Sequence, residues 1–245
     1  MSQVKCSQME YMTECIQNAD WNQISEQLHQ HGYAMIEQVL SERQCGELKA
    51  AYCQADLYRK TVNMQRYRFG LGEYKYFNYP LPNLIEQIRN EVYPKLVPVA
   101  NAWFKVLGLG NSFPNTHVEF LNLCQQHQQI KATPLILKYQ KDGFNTLHQD
   151  IYGEIYFPLQ LVIVLDQPDI NFKGGEFVMT QQNPRAQSKV MVLQPNQGDL
   201  LIFTTQFKPE RGSRGYHRVN MKHGVSPILQ GERHSLGIIF HDAVN

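Results

Sequence analysis

Residues 157–165 read FPLQLVIVL, a nearly continuous apolar run that is rich in β-branched side chains. A dense run of this length is typical of a buried strand. Shorter runs around it predict further strands, and Gly174-Gly175 and Gly198-Asp199 predict turns between them. Residues 233–240 alternate with period two, which predicts one more strand. Short strands divided by turns favour an all-β barrel or sandwich, with the additional strands at 135–139, 176–179, 190–193 and 200–203.

The amino-terminal part has helical signals instead. Trp21, Ile24 and Leu28 recur at helical spacing before Gly32, a helix stop, and residues 33–36 form a short apolar strand candidate. Ser41 with Gln44 three residues later predicts a capping box that opens a helix to about Cys53. A further helix is predicted over 84–107, which Pro94 and Pro98 should break or kink.

These patterns predict a mainly β protein with α elements. We expect a single domain over 1–245, because no Gly/Ser or Pro linker divides the chain. Within it, a mainly helical supporting layer at about 20–115 should lean on a β core at about 116–245.

Composition narrows the class of protein. The 245 residues are 42% hydrophobic and 18% charged, which excludes wholesale disorder. With 23 Lys and Arg against 22 Asp and Glu, the net charge is +1, which disfavours a nucleic-acid-coating protein but permits a local basic patch. No apolar run is long enough for a membrane span, and residues 1–8 have no apolar signal region. We therefore predict a cytoplasmic protein without membrane association, and no obligate protein partner is indicated.

The cysteines argue against two kinds of site. Their number is odd and no CxxC pair occurs, which disfavours both a disulfide scaffold and a zinc-thiolate site. The five are Cys6, Cys15, Cys45, Cys53 and Cys124.

His148-Gln149-Asp150 and His223 form the candidate metal site. Residues two apart on a strand point to the same face, so His148 and Asp150 could hold one ion. His223 lies 75 residues later, enough for several strands to run and return. Two histidines and one carboxylate make the facial triad of non-haem Fe(II) oxygenases, which leaves positions open for a cosubstrate and oxygen. An HxD tripeptide alone often arises by chance, so the prediction depends on the combination.

Arg233 is the candidate anchor for a cosubstrate. It lies ten residues after His223, and a planar guanidinium can grip a carboxylate through two parallel hydrogen bonds. Ser235, two residues further, should share its face and add a hydroxyl. Tyr139, nine residues before His148, is a candidate second donor to the same ligand.

Taken together, these motifs resemble the Fe(II)/2-oxoglutarate-dependent dioxygenase superfamily. The resemblance covers roughly 135–242 and implies a double-stranded β-helix (jelly-roll) core, Fe(II) on His148, Asp150 and His223, and 2-oxoglutarate anchored by Arg233. It also implies O2 as a substrate, with succinate and CO2 as products. The motifs that carry it are HQD at 148–150, GGEF at 174–177, QGD at 197–199 and GERHSL at 231–236, together with His223.

A narrower resemblance covers most of the chain. It is to a bacterial 2OG-Fe(II) oxygenase family whose name suggests oxidative demethylation of damaged DNA, which implies loss of an N-methyl group as formaldehyde. The LHQD motif at 147–150 and the Tyr139 spacing resemble AlkB-type demethylases. In contrast, the ten-residue gap before Arg233 looks more like prolyl-hydroxylase-type enzymes, and Ile239 stands where the AlkB type has a second Arg. The other stretches of this resemblance are 72–77, 151–154, 157–160, 218–226 and 236–243.

The substrate therefore has several candidates. They are alkylated DNA or RNA, a protein side chain or a small molecule, and the rival class is a non-catalytic jelly-roll that binds a ligand. A zinc hydrolase is disfavoured because no HExxH occurs. Residues 66–79 interleave basic and aromatic side chains, which fits either base stacking with phosphate contacts or packing against the β core. The Gly-rich basic stretch 211–218 fits a lid, a phosphate-contacting loop or a solvated loop.

The remaining histidines are predicted to be structural. His241-Asp242 should be a structural pair, because the triad is already complete without it. We expect the others to lie at the surface or in packing contacts; they include His117, His127, His217 and His234.

Overall fold

The computed structural model describes residues 2–110 and 112–244, with side chains from residue 10 onward. The side chain of Cys6, and with it the expectation for the first eight residues, lies outside this described part. The four cysteines whose side chains are described are free. No helix within the described ranges has both the length and the apolar character needed to cross a membrane.

The described residues form five α-helices and fifteen strands. The helices are α1 (Ser2–Asn18), α2 (Trp21–His31), α3 (Glu42–Ala51), α4 (Asn83–Val106) and α5 (His117–Gln126). The strands before α5 are β1 (Tyr33–Ile36), β2 (Tyr58–Asn63), β3 (Gly70–Leu71) and β4 (Glu73–Phe77). Those after it are β5 (Leu135–Tyr139), β6 (Phe144–His148), β7 (Leu159–Val164), β8 (Phe172–Gly174), β9 (Phe177–Gln182), β10 (Lys189–Leu193), β11 (Leu200–Thr204), β12 (Phe207–Gly212), β13 (Gly215–Val225), β14 (Ile228–Gly231) and β15 (Arg233–Ile238).

Two antiparallel sheets form the jelly-roll. The large sheet has the strand order β1-β11-β7-β15-β5-β4-β2. The small sheet has the order β10-β9-β13-β6-β3, with β12 paired to β13, and β14 and β8 form a separate pair. The predicted class, mainly β with a jelly-roll core, is confirmed.

The helices cover the outer face of the large sheet. The largest apolar cluster joins residues of all five helices to outward side chains of β7, β11 and β15, such as Leu161, Ile202 and Ile238. Two smaller clusters fill the space between the sheets, around Phe177 and Phe203 and around Tyr139 and Phe172. The predicted helical layer is therefore present, and it leaves the interior of the jelly-roll to the site.

Local signals identified two helix ends correctly. Gly32 caps α2 in the left-handed conformation, with φ +78°, and its N–H donates to the carbonyl of Leu28. Ser41 and Gln44 form the predicted capping box, and α3 ends at Ala51, two residues before the expected end.

The predicted break at Pro94 and Pro98 is wrong, because α4 runs unbroken through both. Both prolines lie on the exposed side of the helix, where water can satisfy the carbonyls they leave unpaired. Eleven other residues of α4 are buried, so packing outweighs the local cost.

The period-two pattern at 233–240 correctly predicts a strand, β15, although the strand ends at Ile238. All six residues of β15 are buried between the jelly-roll interior and the helical layer. The segment 20–115 supplies strands β2–β4 in addition to its helices, and the large sheet includes two of them. Residues 211–218 form the largely exposed tip of the β12–β13 hairpin, where Gly212 pairs with Gly215, rather than an irregular loop.

Candidate active site

His148 and His223 lie side by side on neighbouring strands. His148 ends β6, and His223 is its register partner on β13. The two ring centroids are 4.2 Å apart. Asp150 follows two residues after the end of β6, so it lies just beyond the strand rather than on it. The fold thus brings His223 next to two residues that lie more than 70 positions earlier in the sequence.

The three side chains converge on one point. Their candidate ligand atoms all lie within 4.8 Å of one another. Asp150 Oδ1 is 3.5 Å from His148 Nε2, and Asp150 Oδ2 is 3.2 Å from His223 Nε2. No second cluster of this kind occurs within the described ranges. Two imidazole nitrogens and one carboxylate oxygen make a donor set suited to Fe(II).

Outer contacts orient two of these side chains. His148 Nδ1 lies 2.7 Å from the carbonyl oxygen of Thr146, so Nδ1 carries the proton and the Nε2 lone pair faces the site. The Tyr152 hydroxyl donates to Asp150 Oδ1 at 2.8 Å, and the Tyr76 hydroxyl donates to that of Tyr152 at 3.1 Å. Sequence reasoning missed both tyrosines. The position of Tyr152, two residues after Asp150, was the available signal.

Aromatic packing holds the third ligand. The ring of His223 stacks on Phe177 at an interplanar angle of 16° and lies 4.7 Å from the ring of Phe203. Its Nδ1 is buried without a hydrogen-bond partner among the described residues. The ring is therefore positioned by packing, in contrast to His148.

The protonation states suit a cation site. Burial alone would raise the pKa of Asp150, but the charge of His148 and the hydrogen bond with His223 hold this pKa well below its usual range. Burial, together with the charge of His148, lowers the pKa of His223. At neutral pH the cluster therefore presents a carboxylate and a neutral imidazole, the forms that bind a metal.

Arg233 is a buried cation at the other end of the same space. It is 1% exposed and opens β15, in register with Tyr139 on β5. One guanidinium nitrogen donates to Ser235 Oγ at 3.1 Å, and the group lies 5.8 Å from each of the Tyr139 and Phe172 ring centres. Its Nε has no hydrogen-bond partner, and no described carboxylate forms an ion pair with it. A buried unpaired charge is costly, so this guanidinium fits a carboxylate ligand.

One cavity of about 210 Å³ connects the two ends. Its lining includes all six residues predicted from the sequence: His148, Asp150, His223, Arg233, Ser235 and Tyr139. Tyr139 accepts a hydrogen bond from the Asn145 amide at 3.3 Å. The structure therefore brings the predicted residues together without placing a bulky group between the metal ligands and Arg233.

The basic and aromatic stretch at 66–79 is divided in role. Phe69 lines the cavity and stacks on Tyr67, with ring centres 5.5 Å apart, and both rings are largely exposed. Tyr74 and Tyr76, on β4 of the large sheet, line the same cavity. Both interpretations of this stretch are therefore supported. Tyr67 and Phe69 offer a surface for stacking, whereas Tyr74 and Tyr76 pack in the β core.

The other histidines are structural or at the surface, as predicted. Asp242 pairs with the buried Arg89 at 3.2 Å, and His241 is fully buried beside it in sequence. The buried His234 contacts Asp166 at 2.9 Å. His117 is also buried, whereas His127 is exposed and His217 is partly exposed.

Comparisons with known proteins agree with this geometry. Residues 72–243 match the model of a family described as an oxygenase catalysing oxidative methylation of damaged DNA. Uncharacterized proteins of two Mycobacterium tuberculosis strains are 44% identical over 167 residues, which cover 68% of this chain and 72% of each relative.

Solved structures share the fold. A prolyl-4-hydroxylase of Pseudomonas putida is 15% identical, with a TM-score of 0.54 over 91% of this chain and 98% of that one. A prolyl hydroxylase of Trichoplax adhaerens, in complex with a hypoxia inducible factor fragment, has a TM-score of 0.53 at 15% identity over 91% and 89% of the two chains. A 2OG-Fe(II) oxygenase family oxidoreductase of Burkholderia pseudomallei has a TM-score of 0.50 at 16% identity over 93% and 94%.

Fold and family match together define an oxygenase, an oxidoreductase whose fold is shared with a 2OG-Fe(II) oxygenase of known structure. Within that class, the chain belongs to the oxygenase family described as acting on damaged DNA.

Proposed function

We propose that the protein oxidises a C–H bond of its substrate with Fe(II) held by His148, Asp150 and His223. In this proposal 2-oxoglutarate is the cosubstrate, and its distal carboxylate is bound by Arg233 and Ser235 with Tyr139 beside them. The observation that carries the proposal is the pairing of three converging ligand atoms with a buried, unpaired guanidinium along one cavity. When bound, the iron and cosubstrate would supply an oxidant by consuming O2, with succinate and CO2 as products.

The protein's own groups account for binding and orientation. Arg233 offers parallel donors to a carboxylate at a site from which water is largely excluded, which strengthens the contact. Thr146 and Tyr152 fix the orientation of His148 and Asp150. Phe177 and Phe203 shield His223 from solvent. The polypeptide thus provides ligand geometry and a dry pocket.

We further propose an alkylated nucleic acid as the substrate. The family description supports this, because it names damaged DNA. The exposed, stacked rings of Tyr67 and Phe69 at the cavity add a surface on which a base can stack. Arg66 and Arg68, both exposed, flank these rings and suit phosphate. On an N-methyl group, hydroxylation would be followed by loss of formaldehyde and release of the free amine.

A second candidate is hydroxylation of a protein side chain or a small molecule. It is favoured by Ile239, which lines the cavity where the AlkB type has its second Arg. The ten-residue spacing from His223 to Arg233 also resembles prolyl-hydroxylase-type enzymes. This candidate has the same metal and cosubstrate sites.

Cosubstrate binding tests the first part of the proposal. Anaerobic addition of Fe(II) and 2-oxoglutarate should produce a charge-transfer absorbance band, and His223→Ala should abolish it. Arg233→Ala should weaken 2-oxoglutarate binding by at least about 30-fold, because truncating one partner of a buried charge pair costs about 2–5 kcal/mol. Arg211→Ala, an exposed arginine, serves as the matched control and should bind normally. An unchanged affinity in Arg233→Ala would refute the anchor assignment.

Product analysis separates the two substrate candidates. Methylated single-stranded oligonucleotides should stimulate succinate production, with formaldehyde released in equal amount. Succinate without formaldehyde from every such oligonucleotide would overturn the demethylase proposal and favour the hydroxylase. Absence of both the absorbance band and any effect of His148→Ala would indicate a non-catalytic ligand-binding protein.

A further inference from the structure

Gln160 is the polar residue within the apolar run that forms β7. All six residues of this strand are buried, and Gln160 is only 2% exposed. A glutamine amide carries two donors and one acceptor, and burying it costs free energy unless hydrogen bonds replace those made to water. Its presence in the middle of the sheet therefore requires an explanation.

The amide nitrogen of Gln160 lacks the hydrogen bonds that burial demands. Its Nε2 has no partner among the described residues, although the residue lines the cavity. The neighbouring Gln149, which lines the same cavity, behaves differently: its Nε2 donates to the carbonyl oxygens of Gln206 and Met221 at 2.9 and 2.8 Å. Gln149 thus serves the fold, whereas the amide of Gln160 is left free for a ligand.

Sheet register places Gln160 far from the cosubstrate anchor. Alternate residues of β7 share a face, so Val164, Val162 and Gln160 form successive levels on the inward face of the large sheet. Val164 pairs with Ser235, next to Arg233, and Val162 pairs with Gly237. Gln160 lies four residue steps from Val164 along the strand, a distance of about 13 Å. The amide therefore lies well beyond the Arg233 end.

Gln160 instead lies level with the metal ligands. Its register partner on β11 is Phe203, whose ring packs 4.7 Å from that of His223. The cavity lining also contains apolar and aromatic groups, including Ile239 and Tyr76. A ligand held here would be placed beside the metal on the side away from 2-oxoglutarate, which is where the primary substrate must be.

We propose that Gln160 is a specificity-determining residue that hydrogen-bonds the primary substrate, an alkylated nucleobase. The inference rests on the proposed function and adds which side chain recognises the base. A carboxamide matches the neighbouring donor and acceptor on the edge of a base, and the apolar walls accept its flat ring. The unsatisfied amide then lowers the stability of the free protein, and a hydrogen bond with the substrate restores this free energy on binding.

The test compares Gln160→Leu with the matched control Gln149→Leu in the full chain. Gln160→Leu keeps the side-chain bulk and removes an unsatisfied polar group, so it should raise the thermal unfolding midpoint, whereas Gln149→Leu should lower it. The affinity of Gln160→Leu for 2-oxoglutarate, measured anaerobically, should stay within about twofold of wild type. Its KM for a methylated single-stranded oligonucleotide, followed by succinate release, should rise by at least about tenfold.

Three results would overturn the inference alone. They are a lowered unfolding midpoint in Gln160→Leu, a tenfold loss of 2-oxoglutarate affinity, or an unchanged KM while wild type responds to the oligonucleotide. Failure of the proposed function is different, because it appears in wild type. A wild-type protein that ignores every methylated oligonucleotide refutes the proposed substrate and this inference with it.

Discussion

At the scale of a single residue, the Tyr152 hydroxyl controls the geometry of a metal ligand. It donates to Asp150 Oδ1, while Asp150 Oδ2 approaches His223. Groups that orient a ligand in this way typically contribute tenfold to hundredfold to metal affinity. Tyr152→Phe should therefore weaken Fe(II) binding by about 10- to 100-fold, measured by anaerobic titration. Tyr216→Phe, which removes an exposed hydroxyl, should bind as wild type does, and equal affinities in the two variants would contradict this role.

At the scale of an element, the turn between β8 and β9 packs against the side chain of Arg233. Gly175 has φ +65°, and a Cβ there would clash with the Ile228 side chain and lie 3.1 Å from Arg233 Cδ. Gly175→Ala should thus destabilise the protein by about 1–3 kcal/mol and weaken 2-oxoglutarate binding, because it shifts the guanidinium. Chemical unfolding and anaerobic binding measure the two effects.

A second glycine supplies the control for this element. Gly46 lies inside α3, and a Cβ there would meet no atom within 4 Å. Gly46→Ala should stabilise the protein by about 0.5–1 kcal/mol through the better helix propensity of Ala, and cosubstrate affinity should not change. A loss of 2-oxoglutarate affinity in Gly46→Ala as large as that in Gly175→Ala would show that the turn has no special role.

At the scale of the whole molecule, buried polar groups connect the helical layer to the carboxyl-terminal segment. Arg89 on α4 donates to the Phe240 carbonyl at 2.8 Å, and His117 on α5 reaches the same carbonyl at 2.9 Å. Burial, with the charge of Arg89, lowers the pKa of His117 to about 3. Burial likewise lowers the pKa of His241 to about 3. Both imidazoles are therefore held neutral in the folded state.

Acid should weaken this connection before the carboxylates titrate. Because the unfolded chain binds protons near the ordinary histidine pKa of 6.5 and the folded chain does not, the stabilisation is present above about pH 6.5 and is lost as the pH falls toward 3. Each buried histidine should cost about 1.4 kcal/mol per pH unit across this window. His117→Gln should flatten the dependence of unfolding free energy on pH, measured by urea titration between about pH 6 and 4.5. The exposed His31→Gln should not, and equal slopes in the two variants would contradict the prediction.

Much of the candidate site followed from local sequence. The HxD tripeptide at 148–150, His223 and Arg233 could be identified because each ligand type has a fixed chemistry and lies at a strand end. The capping box of α3 was equally local, since its hydrogen bonds span three residues. The strand runs at 135–139 and 157–165 were also recognisable, because a buried strand must be apolar whatever its partners are.

Other features required the packed molecule. The unbroken path of α4 through Pro94 and Pro98 depends on contacts along its buried side. The burial of both faces of β15 depends on helices that come from the other end of the chain.

The sequence by itself therefore determined which groups could bind a metal and a carboxylate, and that the core would be a β barrel or sandwich. The jelly-roll was what the family resemblance implied. Only the tertiary structure decided which polar side chains are satisfied. Tyr152 bonds Asp150 and Gln149 bonds two carbonyls, whereas Gln160 Nε2 has no partner in the described part of the chain. The physical reason is that alternation along a strand assigns a side chain to a face, whereas its hydrogen-bond partners come from strands distant in sequence.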